Sequence, residues 1–467
     1  MKIKKKIALV NTPFIEVKDN HPLLPPLGLT YLAAVLERDD HEIRIIDCPA
    51  CNLDHEKLKK ELSSFAPDIV GITSLTPTIA SAFHSARVAK EVAPSSQVIL
   101  GGPHATFLDK DVLGQESAID IVVRGEGEQT LQEIAQGTNN ANTLGKVAGI
   151  TFRNENGQIL QTPNRPLIQN LDDLPRPAYK YLKLDNYRLF GKLHMPIMAS
   201  RGCLYQCSFC VSAQMWGGKY RKRTPKNVAD ELEWLRGEQG ADGVQFHDDI
   251  LTPEVNRIVE ICDEIIARKI NVPWGCQARV DQISKEVLLK LRKAGCNEVS
   301  YGIESGCQKI LDAVNKRTTI EQSEKAIKMT KEAGIFVAVT ALIGYPGETK
   351  EDVKETLDLL RRVEPDDIWL CIATPYPGTE LRVLLENMGW KVSDNWSLYD
   401  TMHSVFENPL MSGDYIKQIR KDFYNSFYGP SYVLRQTVKG YIRGNYFSQI
   451  MARTALNHLL WRVRSSF

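Results

Sequence analysis

The sequence predicts an α/β protein of two parallel sheets followed by a helical C-terminal region. Three observations carry that expectation. Residues 5–135 alternate short β-branched runs with amphipathic stretches, the same alternation resumes at Met195 and gives six repeats, and between the two the periodicity disappears. Strands alternating with helices at this spacing imply βαβ units, because parallel strands need a crossover that a helix supplies.

In the first stretch the expected strands are Ile7–Val10, Glu42–Ile46, Ile69–Ile72, Val98–Leu100 and Ile119–Val123. Helical patterns over Leu27–Glu37, Glu56–Phe65 and Thr78–Val92 separate them. This is a doubly wound, flavodoxin- or Rossmann-like domain over residues 1–136, and such sheets take ligands at the carboxyl ends of their strands. Those ends read Asn11-Thr12-Pro13 with Pro25-Pro26-Leu27-Gly28, then Thr73-Ser74-Leu75-Thr76, Gly101-Gly102-Pro103-His104 and Gly125-Glu126-Gly127-Glu128. Glycines and small residues let a backbone approach a flat, bulky ligand closely. His104, beside Gly101 and Gly102, is read as a ligand contact; a turn residue satisfying local backbone is the competing view. Cys48-Pro49-Ala50-Cys51 is a C-x-x-C without thioredoxin context, and its pairing reads as incidental.

Residues 137–194 hold a hairpin, with Val147–Phe152 and Gln158–Thr162 turning at Asn156-Gly157, and a proline-punctuated linker from Asn170 to Pro177. The second alternating domain spans residues 195–392. Its expected strands are Pro196–Ser200, Gly243–His247, Val272–Cys276, Glu298–Ile303, Phe336–Ile343 and Asp367–Ala373, with helices after the first five. Six units cannot close an eight-stranded barrel, so a partial (βα)6 barrel is expected, with its chemistry at the C-terminal strand ends. Residues 393–467 are rich in aromatics and read helical from Ser412. Between Pro430 and Phe467 stand Arg435, Lys439, Arg443, Arg453, Arg462 and Arg464 and no acidic residue. Such a tail suits an anionic membrane surface or an acidic substrate; a solvated helical cap on the barrel is the competing reading.

At 467 residues the chain is long enough for two or three cores. Its 58 basic residues balance 57 acidic ones, which removes any case for bulk nucleic-acid binding. No apolar run approaches the ~20 residues a bilayer span needs, and Met1-Lys2-Ile3-Lys4-Lys5-Lys6 leads into a strand rather than a signal segment. A cytoplasmic protein is expected, with peripheral membrane contact only through the tail. The ten cysteines then read as reduced thiols and metal ligands, and Cys262, Cys276, Cys296, Cys307 and Cys371 as small buried hydrophobes.

The most specific stretch is Ala199-Ser-Arg-Gly-Cys203-Leu-Tyr-Gln-Cys207-Ser-Phe-Cys210. Three thiols this close in a reducing compartment share a metal or a cluster. A structural zinc site wants a fourth Cys or His, and none follows until His247. Three thiolates suit an iron–sulfur cluster that keeps one iron open.

On these residues the chain resembles the radical S-adenosylmethionine (SAM) superfamily. The resemblance implies a four-iron four-sulfur cluster on Cys203, Cys207 and Cys210, SAM chelated to the open iron, Phe209 against the adenine, and an electron that cleaves SAM to methionine and a 5′-deoxyadenosyl radical. It places Asp248 and Asp249 at the SAM ammonium, Arg279 at its carboxylate, Glu304 at the ribose, and Gly344, Pro346 and Gly347 at the adenine. The first domain resembles the cobalamin-binding domain found upstream of such barrels. Thr73, Leu75, Gly101 and Gly102 would then line the pocket of the cobalamin's nucleotide tail, with Ser74, His104, Gly125 and Glu126 as further cofactor-binding residues. One departure stands out: where cobalamin-dependent methyltransferases carry D-x-H-x-x-G, this chain reads Asp47-Cys-Pro-Ala-Cys51-Asn52, without His or Gly. A domain that binds substrate or packs on the barrel is the alternative to a cobalamin domain.

The resemblance implies methylation of an unactivated carbon, with cobalamin carrying the methyl group. The rival uses of the same cofactors are ring formation, rearrangement or carbon–carbon coupling; a non-catalytic carrier is disfavoured by the complete SAM-site pattern. The expected partners are a small-molecule or lipid-like substrate and an electron donor such as flavodoxin or ferredoxin.

Overall fold

The computed structural model describes residues 4–14, 23–137, 141–442 and 446–454. Of the basic tail residues named above, Arg443, Arg462 and Arg464 lie outside the described residues. The chain divides into two compact units, Met1–Leu189 with Asn395–Ser397, and Phe190–Asp394 with Leu398–Phe467.

The first unit is a seven-stranded sheet. Strands β1 (Lys6–Asn11), β2 (Glu42–Asp47), β3 (Ile69–Thr73), β4 (Gln97–Gly101) and β5 (Ile121–Val123) run parallel in the order β2-β1-β3-β4-β5. The order reverses between β1 and β3, the switch point at which such sheets open a ligand crevice. Ile7, Ala8, Leu9 and Val10 are all buried, because helices cover both faces of the sheet. Those helices include α1 (Leu27–Glu37), α2 (His55–Phe65) and α3 (Ile79–Val92). The start of α2 is fixed by Asp54, whose side chain accepts from the Lys57 N–H at 2.8 Å. The hairpin expected within the connection, β6 (Ile150–Arg153) and β7 (Ile159–Gln161), adds antiparallel to β5 and so extends the first sheet. A buried Arg124 fastens it, donating to the carbonyls of Ile150 at 2.7 Å and Thr162 at 2.6 Å.

The second unit is the partial barrel. Its strands β8 (Lys192–Ile197), β9 (Gly243–Phe246), β10 (Trp274–Ala278), β11 (Cys296–Glu304), β12 (Phe336–Ile343) and β13 (Asp367–Ile372) pair in parallel with their sequence neighbours. The first strand starts four residues before its expected place. Pro196 reads as a strand opener, whereas the strand runs through it, and Ser200–Arg201 pairs antiparallel with Arg221–Lys222 instead.

The inner and outer faces alternate cleanly. Val299, Tyr301, Ile303, Val337, Val339, Ile368 and Leu370 point outward and are buried. Ser300, Gly302, Thr340, Trp369 and Cys371 occupy the other face and are only partly covered. A closed eight-stranded barrel fills that face with bulky apolar layers.

The C-terminal segment closes this sheet. Helix α4 (Gly413–Phe427) lies along the edge of β13, where the Tyr424 hydroxyl accepts from the Leu370 N–H at 2.8 Å and the Tyr428 hydroxyl from the Ile368 N–H at 3.0 Å. Arg420 donates to the Leu370 carbonyl at 2.7 Å. Edge strands need such partners to avoid pairing with other chains. Tyr446 meets His194 at 2.8 Å, and Phe447 joins Phe336 and Ala338 at the amino-terminal end of the barrel. Arg435 pairs with Glu364 at 3.5 Å and Lys439 with Asp366. The described part of the aromatic, basic tail is thus a cap on its own barrel. Among the described residues no helix is long and apolar enough to cross a membrane.

Candidate functional site

The cysteine loop follows β8 and its short antiparallel pair. Gly202 enters it at φ +102°, a conformation that L side chains rarely adopt, and a Cβ there would drive into the Lys219 carbonyl. Cys203, Cys207 and Cys210 are free thiols, each partly exposed. Two separate segments hold the loop between them. Asn315 donates to the Gln206 carbonyl at 2.8 Å, the Ser208 N–H donates to the Val314 carbonyl at 3.1 Å, and the Ser208 hydroxyl meets the Tyr345 hydroxyl at 2.8 Å. Burial pushes the Cys203 thiol up and the Cys207 thiol to about 11. Thiolates there call for a bound cation, which is what iron supplies. The donor set, three soft ligands on a loop preset by the chain, fits the cluster.

The strand ends behave unequally. Asp248, at the end of β9, is buried, accepts from the Ala199 N–H at 2.9 Å and from the Ser200 hydroxyl, and is pushed up to about 6 by that burial. From that buried position it holds the base of the loop. Asp249 is exposed and accepts from the Gly202 N–H at 3.1 Å and from the Ser212 hydroxyl, so it sits against the loop itself. Arg279 spends three of its five donors within the protein. It pairs with both oxygens of Asp281 at 3.0 Å, donates to the Lys316 carbonyl at 2.9 Å and stacks on Tyr205 at 3.6 Å.

Glu304 ends β11 at a register shift, with φ +59° and 6% exposure, and accepts from Lys316 Nζ at 2.8 Å. A Cβ at Gly302 would collide with this carboxylate and with the ammonium. Burial alone lowers the Lys316 ammonium's pKa, but the Glu304 charge outweighs it and the net direction is up. Lys316, whose field reaches Cys207, was not visible to sequence reasoning. Its only signal was Asn315-Lys316-Arg317, whose flanking residues both take left-handed backbone. Gly344 takes φ +84° after β12, and its N–H donates to the Glu348 carboxyl, which lies buried behind the turn. Pro346 is buried, Gly347 is exposed, and Phe209 is partly exposed on the cysteine loop.

In the first unit the strand-end residues also divide. The Ser74 N–H donates to the Gly101 carbonyl at 2.9 Å, and a Cβ at Gly102 would run into the Ser74 carbonyl, so these two loops interlock. Thr73 closes β3, and Leu75 projects with 55% of its surface exposed. Around Gly28 and Gly125 a Cβ would meet nothing within 4 Å, and at Gly101 it would meet only the Val123 carbonyl at 4.0 Å. That open, small-residue edge fits a flat, bulky group such as a corrin. His104 turns inward. It is buried against Thr76 at 3.3 Å, packs edge-on to Trp396 at 5.1 Å, and burial pushes its imidazole down to about 4. Glu126 is also spent internally, accepting from the Ile168 N–H at 2.7 Å. At the end of β2, Asp47 is buried and accepts from Asn11 at 2.9 Å and from the Tyr187 hydroxyl. Pro49 stands where D-x-H-x-x-G has its His, while Asn52 takes the left-handed conformation, φ +50°, that the motif's Gly provides.

A doubly wound domain with an open carboxyl edge, joined to a partial barrel bearing a three-cysteine loop, defines a radical SAM architecture with a cobalamin-type domain. Comparison with known proteins gives the same division. The Radical SAM superfamily model matches residues 197–360 and the B12 binding domain model residues 21–135. An uncharacterized methyltransferase of Pyrococcus horikoshii is 33% identical over 434 residues, 90% of this chain and 94% of that protein. The anaerobic magnesium-protoporphyrin IX monomethyl ester cyclase of Rubrivivax gelatinosus is 34% identical, over 84% of this chain and 70% of that protein. The radical SAM methyltransferase TsrM from Kitasatospora setae, solved with cobalamin and a [4Fe-4S] cluster, shares the fold with a TM-score of 0.69 at 20% identity, over 83% of this chain and 75% of that one. The chain belongs to the radical SAM superfamily, in the group that carries a B12-binding domain. Its cofactors are those of the two domains: a four-iron four-sulfur cluster, SAM and cobalamin.

Proposed function

We propose that this radical SAM enzyme methylates an unactivated carbon of a small-molecule or lipid-like substrate in the cytoplasm. The observation that carries the reading is the pairing, in one chain, of an open-edged B12 domain with a preset three-thiol loop, in a sequence whose near-full-length relative is named a methyltransferase. When bound, the cluster supplies the electron that splits SAM, and cobalamin supplies the methyl group.

The chain's own residues bind and orient. Cys203, Cys207 and Cys210 hold the cluster, Phe209 lies against the adenine, and the turn at Gly344, Pro346 and Gly347 brings backbone to it. Glu304 takes the ribose hydroxyls. Asp249 takes the ammonium with the lone pairs its loop bonds leave free, while Asp248 positions the loop. Arg279, with the two Nη1 donors its internal bonds leave, and Lys316, which spends one of three donors on Glu304, anchor the SAM carboxylate. Thr73, Ser74, Leu75, Gly101, Gly102 and Gly125 frame the cobalamin tail, with His104 and Glu126 supporting from behind. A low-potential donor such as flavodoxin or ferredoxin supplies electrons.

Ring formation is the second reading, supported by the 34% identity to a cyclase. Incubating the reduced, loaded enzyme with a low-mass metabolite extract and SAM bearing a labelled methyl group separates the two. Methylation puts the label into a product by mass spectrometry; a product lighter by hydrogen and free of label supports ring formation. Cys207→Ala abolishes either product.

A further inference from the structure

The loop that carries the three thiols has an outer face that the cofactor sites leave unused. Leu204 follows Cys203, so their Cα atoms are about 3.8 Å apart, and it keeps 55% of its surface exposed. Gln206, beside Cys207, is exposed as well. A single exposed leucine is ordinary on a protein surface, but this one is not isolated. A helix over Glu380–Asn387 starts against the same loop, where the Leu381 N–H donates to the Ser208 carbonyl at 2.8 Å. That helix and its C-terminal cap leave Val383 and Met388 exposed at 53% and 45%.

Two cations border Leu204. The Lys219 carbonyl lies against Gly202, on the Cys203 side of the loop. Arg317 donates through Nε to Asn315 at 2.9 Å, and Asn315 in turn holds the Gln206 carbonyl on the Cys207 side. Both are exposed, and neither has a carboxylate partner among the described residues. The sequence around the thiols has the same sign, since residues 186–229 contain no Asp or Glu while Lys and Arg recur through them. Carboxylates from elsewhere pair with Lys222 and Arg223 but not with Lys219. On the neighbouring helix Glu386 is paired with Arg382 at 2.8 Å, so it does not cancel the two cations. An apolar centre between unpaired cations complements an acidic surface that brings its own apolar contact. The chemistry supplies the reason for such a partner to come here, because a cluster on Cys203 and Cys207 takes its electrons from outside the chain.

We infer that Leu204, Lys219 and Arg317 form the docking surface for a small, acidic one-electron carrier protein, with Val383 and Met388 at its edge. In the docked pair one electron passes from the reduced carrier to the oxidised cluster, so each changes by one unit of charge. The inference rests on the proposed function, whose redox partner it places.

The test uses flavodoxin as the acidic carrier. Its binding to the cluster-loaded protein is measured by biolayer interferometry, and its reduced form is then used to drive SAM cleavage, read as 5′-deoxyadenosine. The methyl viologen radical cation, small and positive, drives the same cleavage in parallel without needing a docking surface. Lys219→Glu combined with Arg317→Glu, and separately Leu204→Ser, should each weaken flavodoxin binding at least tenfold and slow flavodoxin-driven cleavage to match. Viologen-driven cleavage and SAM affinity should stay unchanged. The parent's affinity for flavodoxin should itself fall at least tenfold as ionic strength rises from about 0.01 to about 0.15 M, where the screening length shortens from about 30 to about 8 Å. Arg317→Lys keeps the charge and gives up the Asn315 contact, and it should bind flavodoxin as the parent does, which separates docking from a loosened loop. The proposal is overturned if flavodoxin does not bind the parent, if it binds the charge-reversed protein equally well, or if viologen-driven cleavage falls in step. A parent that cleaves no SAM with either reductant would instead contradict the cofactor reading, so the two failures are distinguishable.

Discussion

Single residues decide whether the cofactor loop can form. Gly202 is required by its backbone, since any side chain there adds the ~1–2 kcal/mol cost of left-handed backbone to a collision with Lys219. Gly202→Ala should leave a folded protein by circular dichroism that assembles little cluster by iron and sulfide analysis. The buried Lys316–Glu304 pair demands a different design. Removing one partner alone strands a buried charge at about 3–5 kcal/mol, so Lys316→Met is best made with Glu304→Gln. The double variant should bind SAM ten- to a hundredfold more weakly. The loss should be larger for SAM than for decarboxylated SAM; an equal loss for both would remove the carboxylate-anchor role. His104 makes a stability prediction. Its folded pKa, about 4, lies below the ordinary 6.5, so the unfolded chain binds the proton first. Stability is then lost as pH falls from about 6.5 toward 4, at up to ~1.4 kcal/mol per pH unit. His104→Gln should flatten that part of the denaturant-derived stability profile.

Elements act here mainly by closing what the partial barrel leaves open. Helix α4 satisfies the free edge of β13 with the hydroxyls of Tyr424 and Tyr428 rather than with another strand. Tyr428→Phe should cost about 1–3 kcal/mol, because it leaves the Ile368 N–H unpaired, and Tyr424→Phe/Tyr428→Phe together should raise aggregation measured by light scattering. The sequence showed a basic, aromatic tail and offered either a surface partner or a cap on the barrel for it. What it lacked was the edge of β13, which exists only once the six strands have curled, so the partner of each tyrosine was invisible. The hairpin of β6 and β7 was legible as a hairpin from Asn156-Gly157, but its membership in the first sheet was not, because register with β5 is a long-range property. Pro196 misled in the opposite sense, marking a strand start where the strand was already under way.

Across the whole molecule, the two βα alternations and the C-x3-C-x2-C spacing were readable because both are local patterns with strong physical causes. The site charges were not. Asp248 and Asp249 are adjacent in sequence yet one is buried under the loop and the other lies against it. Arg279 is a cation that spends three of its five donors within the protein, and Lys316 had no motif to announce it. The central claim is that one chain holds both an iron–sulfur cluster and a corrinoid. The most direct test is the visible spectrum of anaerobically reconstituted protein after incubation with cobalamin and removal of unbound ligand. The account predicts corrinoid bands beside the broad iron–sulfur absorbance, with the latter alone lost in Cys207→Ala. A protein that carries the cluster and retains no corrinoid would contradict it, and methyl transfer through cobalamin would fall with it.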